Sequence, residues 1–153
     1  MYKKMQLLIL LITVVLISCD NRTANLQPNI LWITCEDLSP ILGCYGDRVA
    51  NTPNIDLFAQ NAVRFTNAYA SAPICTPARS SLITGVYASS MGTHHLRGVV
   101  PKSDKIKCFT EFLRERGYYC TNNVKEDYNF ITPEEAWDES SDSAHWRNRK
   151  PEQ

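Results

Sequence analysis

Residues 75–85 read Cys-Thr-Pro-Ala-Arg-Ser-Ser-Leu-Ile-Thr-Gly, and the prediction of the fold starts from this stretch. Thr76 followed by Pro77 is a typical helix start, because Thr caps free N–H groups and Pro needs no partner in the first turn. Residues 78–84 form a short predicted helix, and Gly85 stands where helices commonly end in a left-handed residue. The sequence therefore predicts a helix with a cysteine directly before its first turn.

The position of Cys75 favours a chemical role. Backbone N–H groups at a helix N-terminus attract anions, so such a position lowers the pKa of a thiol and favours nucleophilic chemistry. Arg79 follows one helical turn later, close enough to neutralise an anionic group at this end of the helix. A structural or disulfide-bonded cysteine is the alternative, and the residues of the segment leave both interpretations open.

An apolar run upstream, residues 29–35, predicts a strand that is buried on both faces, as in a parallel sheet. Glu36 and Asp37 follow at its carboxyl end, the edge at which α/β sheets bind ligands. Adjacent carboxylates repel each other, and a divalent cation such as Ca²⁺ or Mg²⁺ would remove that repulsion. A solvated pair of loop residues is the alternative for this dipeptide.

The rest of the chain alternates predicted helices and strands, which indicates an α/β fold with three or four strands. The helix over 108–116 places Phe109, Phe112 and Leu113 on one face. The remaining predictions, in chain order, are a loop over 38–51, a helix from Thr52-Pro53 through Val63, a strand over 63–69, a loop over 86–107, an end of the 108–116 helix at Gly117, a strand over 118–124, and irregular structure from Glu126.

The composition bounds the class of protein. The chain has 153 residues, 44% of them hydrophobic, and its 16 basic and 16 acidic residues give a formal net charge of zero. A disordered chain would need low hydrophobicity and high net charge, so this composition indicates a globular protein. A nucleic-acid partner is not expected, because the chain is not basic overall and has no run of more than two basic residues.

The first residues indicate export. Two early lysines precede an apolar segment, residues 7–17, that is too short to cross a ~30 Å bilayer core comfortably and suits a signal peptide. The following Ser-Cys resembles a bacterial lipobox, which predicts a signal peptide over 1–18, a lipidated Cys19 that anchors the protein in the cell-envelope membrane, and a tether over 19–28. An ordinary signal peptide or an uncleaved anchor is the alternative.

Five cysteines follow Cys19 in the chain: Cys35, Cys44, Cys75, Cys108 and Cys120. An exported protein meets oxidising conditions that permit disulfides. Five is an odd number, so at least one of these cysteines is expected to be free, modified or bonded elsewhere.

Several ordered motifs together resemble the sulfatase family. The pattern Cys75-x-Pro77-x-Arg79 resembles the sulfatase signature, which carries the cysteine that is oxidised to formylglycine. The resemblance covers about Asn29 to Tyr128. Its supporting residues are Ser80, Leu82, Thr84, Gly85, the strand with the acidic pair, Gly46-Asp47, Thr52-Pro53-Asn54-Ile55-Asp56 and Phe65-x-Asn67-Ala68-Tyr69.

The resemblance implies a chemistry for these residues. Cys75 would be converted to formylglycine by a maturation enzyme, and the aldehyde hydrate would supply the nucleophilic oxygen. Glu36, Asp37 and the modified residue 75 would ligate Ca²⁺, with Mg²⁺ less expected, and Arg79 would hold the modified side chain. Most family members have two Asp at the acidic pair, so Glu36 is a longer substitute.

The resemblance also implies a role for Lys125, which falls where the family places a lysine that grips a sulfate oxygen. The family usually has Gly-Lys-x-His there, whereas residues 124–127 of this chain read Val-Lys-Glu-Asp and lack that histidine. His94 and His95 lie in the predicted loop over 86–107, and a histidine there would donate a proton to a leaving group or contact the substrate. Exposed or structural histidines are the alternative, and a two-histidine metal site lacks further ligands nearby in sequence.

The family fold is the alkaline-phosphatase-like α/β fold, of which residues 29–153 would form the N-terminal part, an incomplete mixed or parallel sheet with flanking helices. The resemblance implies a sulfuric ester hydrolase that acts on sulfated carbohydrates. A truncated chain of this kind is expected to be inactive by itself. A phosphate or phosphonate monoester hydrolase on the same scaffold and a non-catalytic lipoprotein are the alternative functions.

Overall fold

The computed structural model describes residues 27–151. The predicted signal peptide, the lipidated Cys19 and most of the tether lie outside these residues. The chain divides into two compact units, Met1–Cys35 and Glu36–Gln153. The elements of the described part are α1 (Pro53–Ala59), α2 (Cys75–Thr84), α3 (Ala88–Met91), α4 (Phe109–Arg114), β1 (Thr121–Asn122), β2 (Glu139–Ser140), and 3₁₀ turns at Gly43–Tyr45, Glu134–Ala136 and Trp146–Asn148.

Helix α2 begins earlier than the sequence predicts. Its first residue is Cys75, and Thr76 is a helical residue rather than the cap. Pro77 fits the first turn because an N–H group there would have no partner within the helix. The predicted end is confirmed: Gly85 has a φ of 69° and its N–H donates to the carbonyl of Ser81 at 2.8 Å.

Helix α4 is shorter than its predicted range: it ends at Arg114 with its cap at Glu115, before the predicted stop at Gly117, which has a φ of 87° in the turn that follows. Its start is capped by Glu111, whose carboxylate accepts a hydrogen bond from the backbone N–H of Cys108 at 2.6 Å. Phe109 packs against the core as predicted, whereas Phe112 is 55% exposed. Phe112 therefore does not share the burial of Phe109, although both were predicted on one apolar face.

The core of the second unit consists of small and aromatic side chains. It contains Ile83 of α2, Cys108 at the start of α4, and Tyr128 and Phe130, whose ring centroids lie 5.6 Å apart. Ala136 completes the buried cluster, and further apolar side chains pack around it. This core joins α2 and α4 to the segment that follows β1.

The sheet is small and parallel. Strands β1 and β2 pair in the register Thr121 with Glu139 and Asn122 with Ser140. A separate parallel bridge joins Val100 to Phe130. The predicted strand over 118–124 is thus confirmed as a short one, and the described part is an α/β arrangement with fewer strands than the predicted three or four.

Two predicted strands are not formed within the described residues. Residues 29–35 and 63–69 lie outside any helix or strand and are exposed throughout. An apolar or alternating pattern supplies side chains that suit a sheet, but a strand also needs a neighbouring segment for its backbone hydrogen bonds. Within residues 27–151, no helix is both long enough and apolar enough to cross a bilayer.

Candidate active site

Helix α2 and the segment after β1 bring Cys75 and Lys125 to the carboxylate of Glu36. The ammonium of Lys125 donates to Oε1 of Glu36 at 2.5 Å and also to Oε2, across 89 positions of sequence. The thiol of Cys75 interacts with the same carboxylate. Three of the residues predicted from the sequence therefore form one contiguous cluster at the first turn of α2.

The electrostatics of this cluster keep the thiol neutral. The carboxylate of Glu36 accepts a hydrogen bond from Cys75 and raises its thiol pKa above the ordinary value, and partial desolvation adds to the rise. The pKa of Glu36 is lowered by its hydrogen bonds with Cys75 and Lys125. Glu36 in turn raises the pKa of the Lys125 ammonium. The expected lowering of the Cys75 pKa at a helix N-terminus was thus wrong, because a negative carboxylate opposes the helix dipole.

Arg79 fixes the position of Lys125 through the backbone. Its Nε donates to the carbonyl of Glu126 at 2.8 Å, and its Nη2 donates to the carbonyl of Lys125. Helix α2 therefore holds the segment that carries the lysine. The predicted contact of Arg79 with a modified side chain at position 75 stays a prediction.

The two histidines lie in a turn that touches the start of α2. The rings of His94 and His95 are 4.0 Å apart between centroids. The carbonyl of His95 accepts a hydrogen bond from the hydroxyl of Thr76 at 3.5 Å, which places this turn beside the residue that follows Cys75. Because Thr76 was predicted to be a helix cap, its link to the histidine turn was not expected from the sequence.

The described residues do not assemble a complete calcium site. Calcium takes about six or more oxygen ligands. Within residues 27–151, no group of three or more His, Cys, Asp or Glu side chains is placed to hold a metal ion. The carboxylate of Glu36 is engaged by Lys125 and Cys75, and Asp37 has a left-handed φ of 54°. The ligand roles of Glu36, Asp37 and residue 75 therefore stay predictions.

Comparison with known proteins places this cluster in a family. The family model described as Sulfatase matches residues 28–147. The chain belongs to the sulfatase family. The resemblance that rested on the Cys75 motif is confirmed, and the matched range includes every predicted site residue from Glu36 to Lys125.

The relatives of this sulfatase chain include enzymes named for sulfated carbohydrates. An ulvan-active sulfatase of Formosa agariphila is 41% identical over 140 residues, covering 83% of this chain and 23% of that protein. An N-acetylgalactosamine-6-O-sulfatase of Bacteroides thetaiotaomicron is 37% identical over 106 residues, covering 65% and 20%. Human arylsulfatase D is 37% identical over 123 residues, covering 72% and 20%. The chain thus spans about a fifth of the length of these relatives.

The other cysteines of this sulfatase chain differ from Cys75 in their surroundings. All five described cysteines are thiols without a disulfide. Burial raises the pKa of Cys108 to about 12 and that of Cys120 to about 11, so both are unreactive core residues. Cys75 is the cysteine that combines partial exposure with the contacts to Glu36 described above.

Proposed function

We propose that the protein to which this chain belongs is a sulfuric ester hydrolase that removes sulfate from sulfated carbohydrates, with residue 75 as formylglycine. The observation that carries the proposal is the cluster of Cys75, Glu36 and Lys125 at the first turn of α2, in a chain of the sulfatase family. The ulvan-active and N-acetylgalactosamine-6-O-sulfatase relatives support a carbohydrate substrate.

The raised pKa of the Cys75 thiol beside the Glu36 carboxylate suits a precursor better than a thiolate nucleophile. Conversion of its CH₂–SH group to an aldehyde is a two-electron oxidation in which water supplies the aldehyde oxygen, the carbon–sulfur bond breaks and the sulfur leaves as hydrogen sulfide. A maturation enzyme supplies the oxidant that takes up the two electrons. Water then adds to the aldehyde. One oxygen of the hydrate attacks sulfur while the bond from sulfur to the carbohydrate oxygen breaks; loss of a proton from the other hydroxyl then expels sulfate and restores the aldehyde.

The neighbouring side chains have roles in this scheme. When substrate binds, the ammonium of Lys125 would leave the carboxylate of Glu36 and bind a sulfate oxygen instead. The positive ammonium attracts the negative sulfate as it attracts the carboxylate. Arg79 holds the backbone that carries Lys125. His95 would donate the proton that the departing carbohydrate oxygen takes up.

Ca²⁺ is proposed as the family's metal, with Glu36 and Asp37 as two of its carboxylate ligands. These two residues supply fewer oxygens than such an ion takes. Lipidation of Cys19 and anchoring to the cell envelope are proposed on the lipobox resemblance. Incorporation of labelled fatty acid that is lost in Cys19→Ser would support the anchor, and unchanged labelling would contradict it.

A full-length protein that includes this chain, produced with a maturation enzyme, tests the activity. Release of sulfate from an aryl sulfate and from sulfated polysaccharides is expected, and it should be abolished in Cys75→Ala while the thermal melting temperature stays near that of the wild type. Preference for an aryl phosphonate over the aryl sulfate would instead support the phosphonate hydrolase. Retained sulfate release by Cys75→Ala would contradict the assignment.

Mass spectrometry of the peptide that contains residue 75 tests the modification separately. Formylglycine differs from cysteine by a loss of about 18 Da. An unmodified thiol in an active preparation would overturn the role of formylglycine without removing the family assignment.

A further inference from the structure

Asn129 is a buried polar residue that binds the turn containing His95. It is 5% exposed and has a left-handed φ of 59°, which Asn tolerates better than most residues. Its Nδ2 donates to the carbonyl of Thr93 at 2.7 Å and to that of His95, and its Oδ1 accepts from the N–H of Gly98 at 3.0 Å. Its own carbonyl accepts from the N–H of Val100 at 2.8 Å.

The same turn is held from its other side by α2. The hydroxyl of Thr76 donates to the carbonyl of His95 at 3.5 Å and accepts from the N–H of Arg97 at 3.4 Å. The hydroxyls of Ser80 and Thr93 lie 2.8 Å apart in a buried hydrogen bond. The carbonyl of His95 therefore has two donors, one from α2 and one from Asn129, and its backbone is fixed beside the first turn of α2.

We propose that Asn129 is the positioning residue for His95 in the proposed sulfatase reaction. A carboxamide offers two N–H donors and one acceptor on a single rigid plane, and all three are used on the turn over 93–98. Asp has the same shape but would place a charged oxygen against two carbonyls. The inference rests on the proposed function, because it assigns Asn129 to the proton donor of that reaction.

The test compares Asn129→Asp with Asn123→Asp in the matured full-length protein. Asn123 is exposed and its amide donates to the carbonyl of Asp142 at 3.0 Å, so this variant makes the same chemical change outside the turn. Because a displacement of about 1 Å costs about 100-fold in rate, Asn129→Asp is expected to lower kcat on the order of 10- to 100-fold with little change in KM. Asn123→Asp is expected to leave both unchanged.

Repeating the substitution in His95→Ala separates positioning from general destabilisation. If Asn129 acts through His95, Asn129→Asp should lower kcat no further in that background. The same fold-loss of kcat in both backgrounds would overturn the proposal, as would a His95→Ala variant with wild-type kcat. If Asn129→Asp does not fold, Thr76→Val replaces it in the test, because this variant removes the other donor to the carbonyl of His95. Thr76→Val should then lower kcat in the wild-type background and lower it no further in His95→Ala.

The NMR signals of the His95 imidazole give a readout that needs no activity. They should move in Asn129→Asp and stay in place in Asn123→Asp, and unmoved signals in both variants would overturn the proposal. A wild-type protein that releases no sulfate contradicts the proposed function, whereas the NMR comparison then still decides whether Asn129 positions His95.

Discussion

At the scale of single residues, Glu36 controls the chemistry of its neighbours. Its carboxylate holds the ammonium of Lys125 and raises the pKa of the Cys75 thiol. A protonated thiol reacts slowly with electrophiles, so the raised pKa protects Cys75 from side reactions. The longer Glu at this position, where the family usually has Asp, makes both contacts.

The first prediction concerns the unmodified Cys75 thiol in metal-free buffer. Glu36→Gln removes the negative charge that raises the thiol pKa, so the thiolate fraction at neutral pH should rise and alkylation should become several-fold faster. Mass spectrometry after treatment with iodoacetamide measures the rate at Cys75. Glu115→Gln, which breaks an exposed ion pair with Lys107, is the matched control, and equal rates in the two variants would contradict the prediction.

The second prediction follows from the buried thiol of Cys108, whose pKa rises from 9.0 in the unfolded chain to about 12 in the fold. Below pH 9.0 the thiol is protonated in both states, and its contribution to the free energy of unfolding is complete. Between pH 9.0 and about 12 this contribution is lost as the pH rises, because only the unfolded chain releases the thiol proton in that range. Cys108→Ala should therefore weaken the alkaline loss of stability. Urea unfolding at several alkaline pH values, in reductant, measures it, and parallel pH dependences in variant and wild type would refute the interpretation.

At the scale of elements, α2 is the unit that gathers the site. Its first turn presents Cys75, its second turn carries Arg79, and its buried face includes Thr76, Ser80 and Ile83. The reactive end and the core-facing stripe therefore belong to one rigid segment, which suits a site that needs fixed geometry.

The third prediction tests the end of α2. Gly85→Ala places a Cβ at a φ of 69°, which should destabilise the fold by about 1 kcal/mol. Gly98→Ala is the control, because its φ lies outside the left-handed region and its Cβ would meet the nearest atom, Cβ of His95, at 3.9 Å. Thermal melting compares the two variants, and an equal effect would argue against strain at Gly85.

The fourth prediction tests the start of α4. Glu111→Ala removes the acceptor for the Cys108 N–H and should cost about 1 kcal/mol, whereas Glu111→Gln keeps an oxygen acceptor and should cost less. Urea unfolding at neutral pH measures both. A loss of stability that is the same for Gln and Ala would mean that the charge of Glu111, rather than its hydrogen bond, stabilises α4.

At the scale of the whole molecule, many large apolar side chains are exposed. Within residues 27–35 of the first unit, Leu31 is 85% exposed, and Ile30, Trp32 and Ile33 are exposed beside it in sequence. Consecutive exposed apolar residues favour association with other surfaces. Isolated exposed residues, such as Val49 in the second unit, are ordinary features of a protein surface.

The fifth prediction concerns residues 27–153 expressed by themselves. They should self-associate, and Leu31→Lys combined with Ile33→Lys should reduce this because charged side chains oppose apolar contact. Analytical ultracentrifugation measures the association, with Val49→Lys as the control, and an equal reduction by Val49→Lys would contradict the prediction.

The sequence by itself determined the family and the local elements with strong chemical signals. The Cys75 motif identified the sulfatase family, and Gly85 marked the end of α2, because a left-handed residue is a local property of the chain. Glu36 was also found as part of the acidic pair, and Lys125 by its place in the family resemblance, although the histidine that usually follows it in the family is absent.

Only the tertiary structure decided which residues meet. The contact between Glu36 and Lys125 spans 89 positions of sequence. The pKa of Cys75 is raised, rather than lowered as predicted, chiefly by Glu36, and a local sequence pattern cannot show that these distant residues meet. Asn129 carried no signal in the sequence, because its burial depends on the turn that folds onto it. The predicted strand over 29–35 failed for the same reason: strands depend on hydrogen bonds with a neighbouring segment, whereas helix ends depend on the backbone of one residue.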